Sequence, residues 1–191
     1  MLLSDKTIKE YIKSGKIKID PPVPDDYIGQ VGVDLRLSNQ FRLFKTTHRP
    51  FIDLSEGKPD LDTELIEVND GNRFMLHPGE FVLGMTMENV ELSDQIAARV
   101  DGRSSLGRIG IIVHSTAGHV DPGWKGRITL EISNIGKLPI ALIPGMRFCA
   151  LLFEEISTPV ERAYHGKYIG STLPTASKIS DEIPQKKPYF V

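Results

Sequence analysis

The chain has 191 residues, with 23 Lys and Arg against 25 Asp and Glu, for a net charge of -2 with histidine neutral. That length suffices for one domain with a sizeable core, and 40% hydrophobic with 25% charged residues is ordinary for a soluble globular protein. No basic excess advertises a nucleic-acid partner, and no stretch is long enough and apolar enough to suggest a bilayer span.

In chain order, Ser4 is placed to cap a short helix. Ile8, Tyr11 and Ile12 follow at i, i+3, i+4 spacing, and Gly15 supplies the stop. The first 18 residues are studded with Lys and Asp and lack the uninterrupted apolar run of a secretory leader, so a cytoplasmic protein is expected. Pro21, Pro22 and Pro24 make the next segment irregular. The period then changes to two: Val33, Leu35 and Leu37 alternate with Asp34, Arg36 and Ser38, and Phe41 and Leu43 continue the pattern.

Short apolar runs follow at 81–87, 96–100, 109–113, 128–132, 138–143 and 148–153. Turn signals separate them: Asp70-Gly71, His77-Pro78-Gly79, Asp121-Pro122-Gly123, Lys125-Gly126 and Ile143-Pro144-Gly145. Many short strands punctuated by Gly and Pro predict an all-β sandwich, jelly roll or distorted barrel. No domain boundary or internal repeat is visible, so residues 1–191 are expected to form one domain. From Tyr164 onward the chain is polar and rich in small residues, a tail that is either disordered or a mobile lid. The one cysteine, Cys149, cannot form a disulfide within the chain. Its apolar surroundings predict a buried, inert thiol.

Three segments carry candidate chemistry. Asp101-Gly102-Arg103-Ser104-Ser105-Leu106-Gly107-Arg108 packs two arginines and two hydroxyls into eight residues. Arginine forks and Ser hydroxyls suit phosphate oxygens, and the plainer reading is a solvated turn into a short helix. In His114–Trp124 the two histidines raise the question of a metal, but no Cys and no third close His supports a zinc set. Glu131 lies in the strand Thr129-Leu130-Glu131-Ile132 and points away from the apolar face of Ile128, Leu130 and Ile132. Such a carboxylate is either exposed or set in a cleft, where it could act as a general base.

Taken together, these blocks resemble the dCTP deaminase family. The matching segments are Val33–Leu37, Leu76–Glu80, Gly102–Arg108, His114–Trp124, Thr129–Glu131, Leu138-Pro139, Pro144–Met146 and Tyr164 with Gly166-Lys167-Tyr168. Their order and spacing span nearly the whole chain. The resemblance implies a dUTPase-like distorted β-barrel or jelly roll with a short N-terminal helix, assembled as a homotrimer with active sites between subunits. It implies hydrolytic deamination of dCTP, with Mg²⁺ bound through the substrate triphosphate and no metal site on the protein itself. Residues 164–191 would form the C-terminal lid, and dTTP is the feedback inhibitor the family suggests.

Carried over residue by residue, Arg103, Ser104, Ser105, Leu106, Gly107 and Arg108 would hold the phosphate end, with Ser104 and Arg108 also reaching the reacting centre. Asp121 would bind the deoxyribose 3′-hydroxyl, and the backbone at Thr129 and Leu130 the base. Glu131 would be the general base. Tyr164 and Lys167 would close over the triphosphate, with Ser171 in the same lid. The zinc-dependent nucleobase deaminases need a Pro-Cys-x-x-Cys ligand pair, which one cysteine cannot supply, so zinc-independent chemistry is expected. The family divides into enzymes that release dUTP and enzymes that also cleave the triphosphate to dUMP and pyrophosphate. Ser115-Thr116-Ala117-Gly118 resembles the second group. Ala150 and Ser171, where glutamines are common, point to the first, and dUTP is the expected product. The other readings are a plain dUTPase and a non-catalytic nucleotide-binding regulator.

Overall fold

The structure is a computed structural model that describes residues 1–45, 51–52 and 63–182. One helix, α1 (Asp5–Ser14), opens the chain and buries Ile8 completely. Gly15 ends it with φ 78°, donating its N–H to the Ile12 carbonyl at 3.2 Å. Ser4 occupies the N-cap position, but its hydroxyl makes no capping bond. The Gln30 carbonyl takes the Asp5 N–H instead, at 3.0 Å, so tertiary contact does what the cap was expected to do.

The strands are β1 (Ile17–Asp20), β2 (Gly32–Arg36), β3 (Gln40–Phe44), β4 (Thr63–Glu67), β5 (Phe74–Leu76), β6 (Phe81–Leu92), β7 (Ile96–Gly102), β8 (Ile111–Ile112), β9 (His119–Val120), β10 (Lys125–Asn134), β11 (Ile140–Leu142) and β12 (Arg147–Glu155). A single turn of helix, α2 (Ser104–Gly107), follows β7. The larger sheet has the order β4-β3-β6-β10-β8, and β1 pairs with the far half of the long strand β6. A second sheet has the order β2-β12-β7-β9, and β5 and β11 form a separate ribbon. Val33 and Leu35 of β2, Val100 of β7, Leu151 and Phe153 of β12 and Ile128, Leu130 and Ile132 of β10 meet in one buried cluster between the sheets. This is the all-β arrangement expected from the alternation, opened by the short N-terminal helix.

Two fully buried polar side chains are well paired. Glu88 is fully buried on β6 and accepts from Arg36 twice, from Nε at 2.5 Å and from the backbone N–H at 2.9 Å. Asn134, also fully buried, bonds the Leu76 and Leu138 carbonyls and the Gly136 N–H, and so fastens the β5–β11 ribbon to the end of β10. Cys149 is buried as expected, and burial pushes its thiol pKa well above the ordinary range.

The expected runs differ from the observed strands at their edges. Within 109–113 only Ile111–Ile112 pairs, and Ile109 stands on the turn after α2, 53% exposed. Leu138 and Ile143 lie outside β11. Strands β1, β4, β5 and β9 have no counterpart among the predicted runs. They have two to five residues each, too few for a period-two pattern to stand out.

Candidate active site

Strand β10 sets the geometry. Its burial alternates strictly, with Ile128, Leu130 and Ile132 inward and Arg127, Thr129, Glu131 and Ser133 on the other, partly exposed face. Glu131 stands opposite Leu83 of β6, and Leu83 stands opposite Arg42 of β3. Directly paired residues share a face, so Arg42 and Glu131 project from the same side, two strands or about 10 Å apart.

The Glu131 carboxylate is held at one oxygen. Oε2 accepts the Ser115 N–H at 2.9 Å and the Thr116 N–H at 3.4 Å, while Oε1 has no partner among the described residues. The loop supplying those amides leaves β8 on the larger sheet and arrives at β9 on the smaller one. Gly118 permits its path, since a Cβ there would lie 2.9 Å from His114 Cε1 and 3.0 Å from the Val100 carbonyl oxygen. His114 Nδ1 is buried without a hydrogen-bond partner among the described residues. His119 pairs with Asp121 across 3.2 Å, and no group of three His, Cys, Asp or Glu among the described residues is placed to hold a metal ion.

The turn Asp121–Trp124 carries the C-terminal segment. Gly123 adopts φ 85°, and a side chain there would meet Ala163. Tyr164 donates its N–H to the Pro122 carbonyl at 2.9 Å and rests its ring 5.5 Å from that of Trp124. Farther on, Gly170 N–H reaches the Lys125 carbonyl at 2.7 Å, and the Ser171 carbonyl accepts the Arg127 N–H at 2.9 Å. Ser171 therefore docks through its backbone, while its hydroxyl turns back to the Tyr168 carbonyl at 2.7 Å. Arg42 Nε holds the Pro174 carbonyl at 2.7 Å. The segment 164–182, expected to be disordered or a mobile lid, lies packed along β10 and reaches across to β3. The rest of that tail, 183–191, lies outside the described residues.

The phosphate candidates stand elsewhere. In α2 only Leu106 is buried; Ser104, Ser105, Gly107 and Arg108 are exposed. Arg108 makes no side-chain hydrogen bond or ion pair among the described residues. Arg103 is turned inward, 3.2 Å from Asp34 and 3.2 Å from the Arg147 carbonyl, so its guanidinium fastens α2 to β2 and β12. Lys167 forms an ion pair with Glu182, and the hydrogen bond it donates to that carboxylate is the first cause raising the lysine pKa.

One chain thus joins Asp121 to Tyr164 through one turn, and Thr129 to Glu131 along one strand face. No hydrogen bond or ion pair links Glu131 to Ser104 or Arg108 among the described residues. Sequence reading missed Arg42, Lys178, Glu182 and the Asp34–Arg103–Arg147 cluster. Asp34 carried a signal as a charged residue in an alternating apolar strand, and Arg103 as a member of a basic run, but nothing in the sequence joined them to Arg147.

The comparisons agree with this architecture. The family described as dCTP deaminase-like matches residues 2–156. A protein of Dictyoglomus thermophilum named "dCTP deaminase, dUMP-forming" is 50% identical over 192 residues, covering 98% of this chain and 99% of its own. One of Alteromonas mediterranea named "dCTP deaminase" is 46% identical over 197 residues, covering 97% and 100%. The crystal structure of 2′-deoxycytidine 5′-triphosphate deaminase from Agrobacterium tumefaciens superposes with TM-score 0.63 at 21% identity, over 80% of this chain. This chain spans 47% of that one, and the likeness shows the fold.

Proposed function

The chain belongs to the dCTP deaminase-like family, and from that premise we propose that it deaminates dCTP and releases dUMP and pyrophosphate at a site completed by a second copy of the chain. The observation that carries this reading is the half-anchored Glu131 carboxylate, in a chain 50% identical to a dUMP-forming relative across nearly the full length of both.

With Oε2 tied to two amides, Oε1 is the oxygen that takes a proton from water. The water oxygen bonds C4 of cytosine and the proton passes to N3; the proton left on the new C4 hydroxyl is then relayed by Glu131 to the amine, so that C4=O forms as the C4–N bond breaks. The balance is dCTP plus water to dUTP plus ammonia. Ser104 and a backbone carbonyl near Ser115 hold the water, and Arg108 orients it and stabilises the developing negative charge. Asp121 takes the deoxyribose 3′-hydroxyl, and the Thr129–Leu130 backbone takes the base. Ser104, Ser105, Gly107 and Arg108 meet the phosphates, with Leu106 as the buried root of their turn. Arg103 belongs with these as a positioning residue, because Asp34 and the Arg147 carbonyl already engage it. Tyr164, Lys167 and Ser171 serve the lid.

A second water then cleaves between the α- and β-phosphates, giving dUMP and pyrophosphate. The dUTP product expected from Ala150 and Ser171 gives way here to its alternative, which the name of the relative at 50% identity favours. The docking of Ser171 through its backbone weakens the case built on its side chain. Mg²⁺ comes with the triphosphate: a hard cation that keeps several waters is suited by phosphate oxygens, and it neutralises their charge. Among the described residues the protein offers no cage of its own.

A trimer explains why Ser104 and Arg108 form no hydrogen bond or ion pair with Glu131 among the described residues. Beside α2, Ile109 is 53%, Ile135 70% and Leu138 75% exposed, an apolar surface that a neighbouring copy can cover. dTTP, a triphosphate with no amine at C4, fits the same phosphate contacts as an inhibitor without being a substrate. No helix among the described residues is long and apolar enough to cross a membrane. A lone buried thiol suits the reducing cytoplasm. The test of zinc independence is direct: pure protein with dCTP and excess Mg²⁺ should release ammonia at an undiminished rate under a zinc-selective chelator. Loss of activity that only zinc restores would contradict the carboxylate mechanism.

A further inference from the structure

The stretch 167–182 gathers two ammonium groups around one aromatic ring. Lys167 Nζ donates to the Lys178 carbonyl at 2.9 Å, and Lys178 Nζ donates back to the Lys167 carbonyl at 2.6 Å. The two nitrogens lie 5.4 and 5.7 Å from the centroid of the Tyr168 ring, and the Tyr168 hydroxyl accepts the Lys178 N–H at 3.0 Å. The loop this clasp closes is tied to β10 at Gly170 and Ser171 and to β3 at Pro174. It therefore overlies the sheet face from which Glu131 projects. Two like charges on one short clasp repel unless an anion joins them. In the structure the Glu182 carboxylate, 60% exposed, pairs with Lys167, and the neighbouring Asp181 adds its negative charge to the same ammonium.

We propose that Lys178 is a second phosphate-holding residue beside Lys167, and that Glu182 is a built-in competitor whose carboxylate occupies the clasp until a triphosphate displaces it. This rests on the reading of the chain as a dCTP-binding enzyme. A pair whose carboxylate is 60% exposed is a weak interaction, so Glu182 is released at little cost. A triphosphate carries several charges and can bond both ammonium groups at once. Lys178 also connects the clasp to the loop overlying the sheet, so filling the clasp and holding the lid down become one event.

Opposite signs distinguish this from a merely structural role. If Glu182 and Lys178 only stiffened the loop, removing either would weaken anion binding. The proposal requires Glu182→Gln to tighten binding and Lys178→Ala to weaken it. Inorganic triphosphate titrated calorimetrically into the full chain should bind about tenfold more weakly to Lys178→Ala and about threefold more tightly to Glu182→Gln. Lys178→Arg should bind nearly as wild type. The KM for dCTP should move in the same directions. Any other pattern, including unchanged binding by Glu182→Gln, overturns the proposal. A wild-type chain that binds inorganic triphosphate with this pattern yet releases no ammonia from dCTP would instead remove the deaminase reading and leave the clasp standing.

Discussion

Glu131→Gln should abolish ammonia release from dCTP while leaving dCTP binding nearly intact. The side-chain amide oxygen can still accept from the Ser115 and Thr116 N–H groups that hold Oε2, so the loop and strand keep their places. The free position becomes an NH₂ group, which cannot take a proton from water. Positioned proton transfer is worth on the order of 10²–10⁴-fold in rate, and kcat should fall by at least that range. Calorimetric affinity for dCTP should stay within a few-fold of wild type. Turnover near the wild-type rate would show that Glu131 is a structural ligand of the 115–116 loop and nothing more.

Mixing two dead variants should restore activity. Arg108→Ala and Glu131→Gln homotrimers are each expected to be inactive, because every site lacks one essential group. If Arg108 reaches the site of a neighbouring copy, random co-assembly of equal amounts gives about one site in four with both groups intact. Activity should then rise from background to about a quarter of wild type after subunits are unfolded together and refolded. The absence of a hydrogen bond or ion pair between Arg108 and Glu131 among the described residues motivates this. Activity that stays at background on mixing, with trimers verified by light scattering, would place the site inside a single chain.

How much of this was readable beforehand depended on the length of each pattern. The ten residues of β10 alternate strictly in burial. From that period alone Ile128, Leu130 and Ile132 could be assigned inward and Glu131 outward. What holds Glu131 could not be read, because the amides of Ser115 and Thr116 come from a loop whose path depends on Gly118 fitting beneath His114. Ser4 looked like a helix cap, yet the bond goes to Gln30, a contact no local pattern reveals. Arg103 and Arg108 were indistinguishable as members of one basic run. The fold turns the first toward Asp34 and leaves the second exposed. Lys178 and Glu182 sat in a tail that reads as polar filler. They acquire meaning only when the loop between Lys167 and Lys178 closes on itself. The functional roles came from the family resemblance, since no spacing rule separates a catalytic carboxylate from an exposed one.

The most direct test of the whole account is a product balance on pure enzyme incubated with dCTP and Mg²⁺. Ammonia, dUMP and pyrophosphate should appear in equal amounts, with no dUTP accumulating. A reaction that yields ammonia and dUTP without pyrophosphate would return the chain to the dUTP-releasing group. Absence of ammonia from dCTP would contradict the deaminase reading itself.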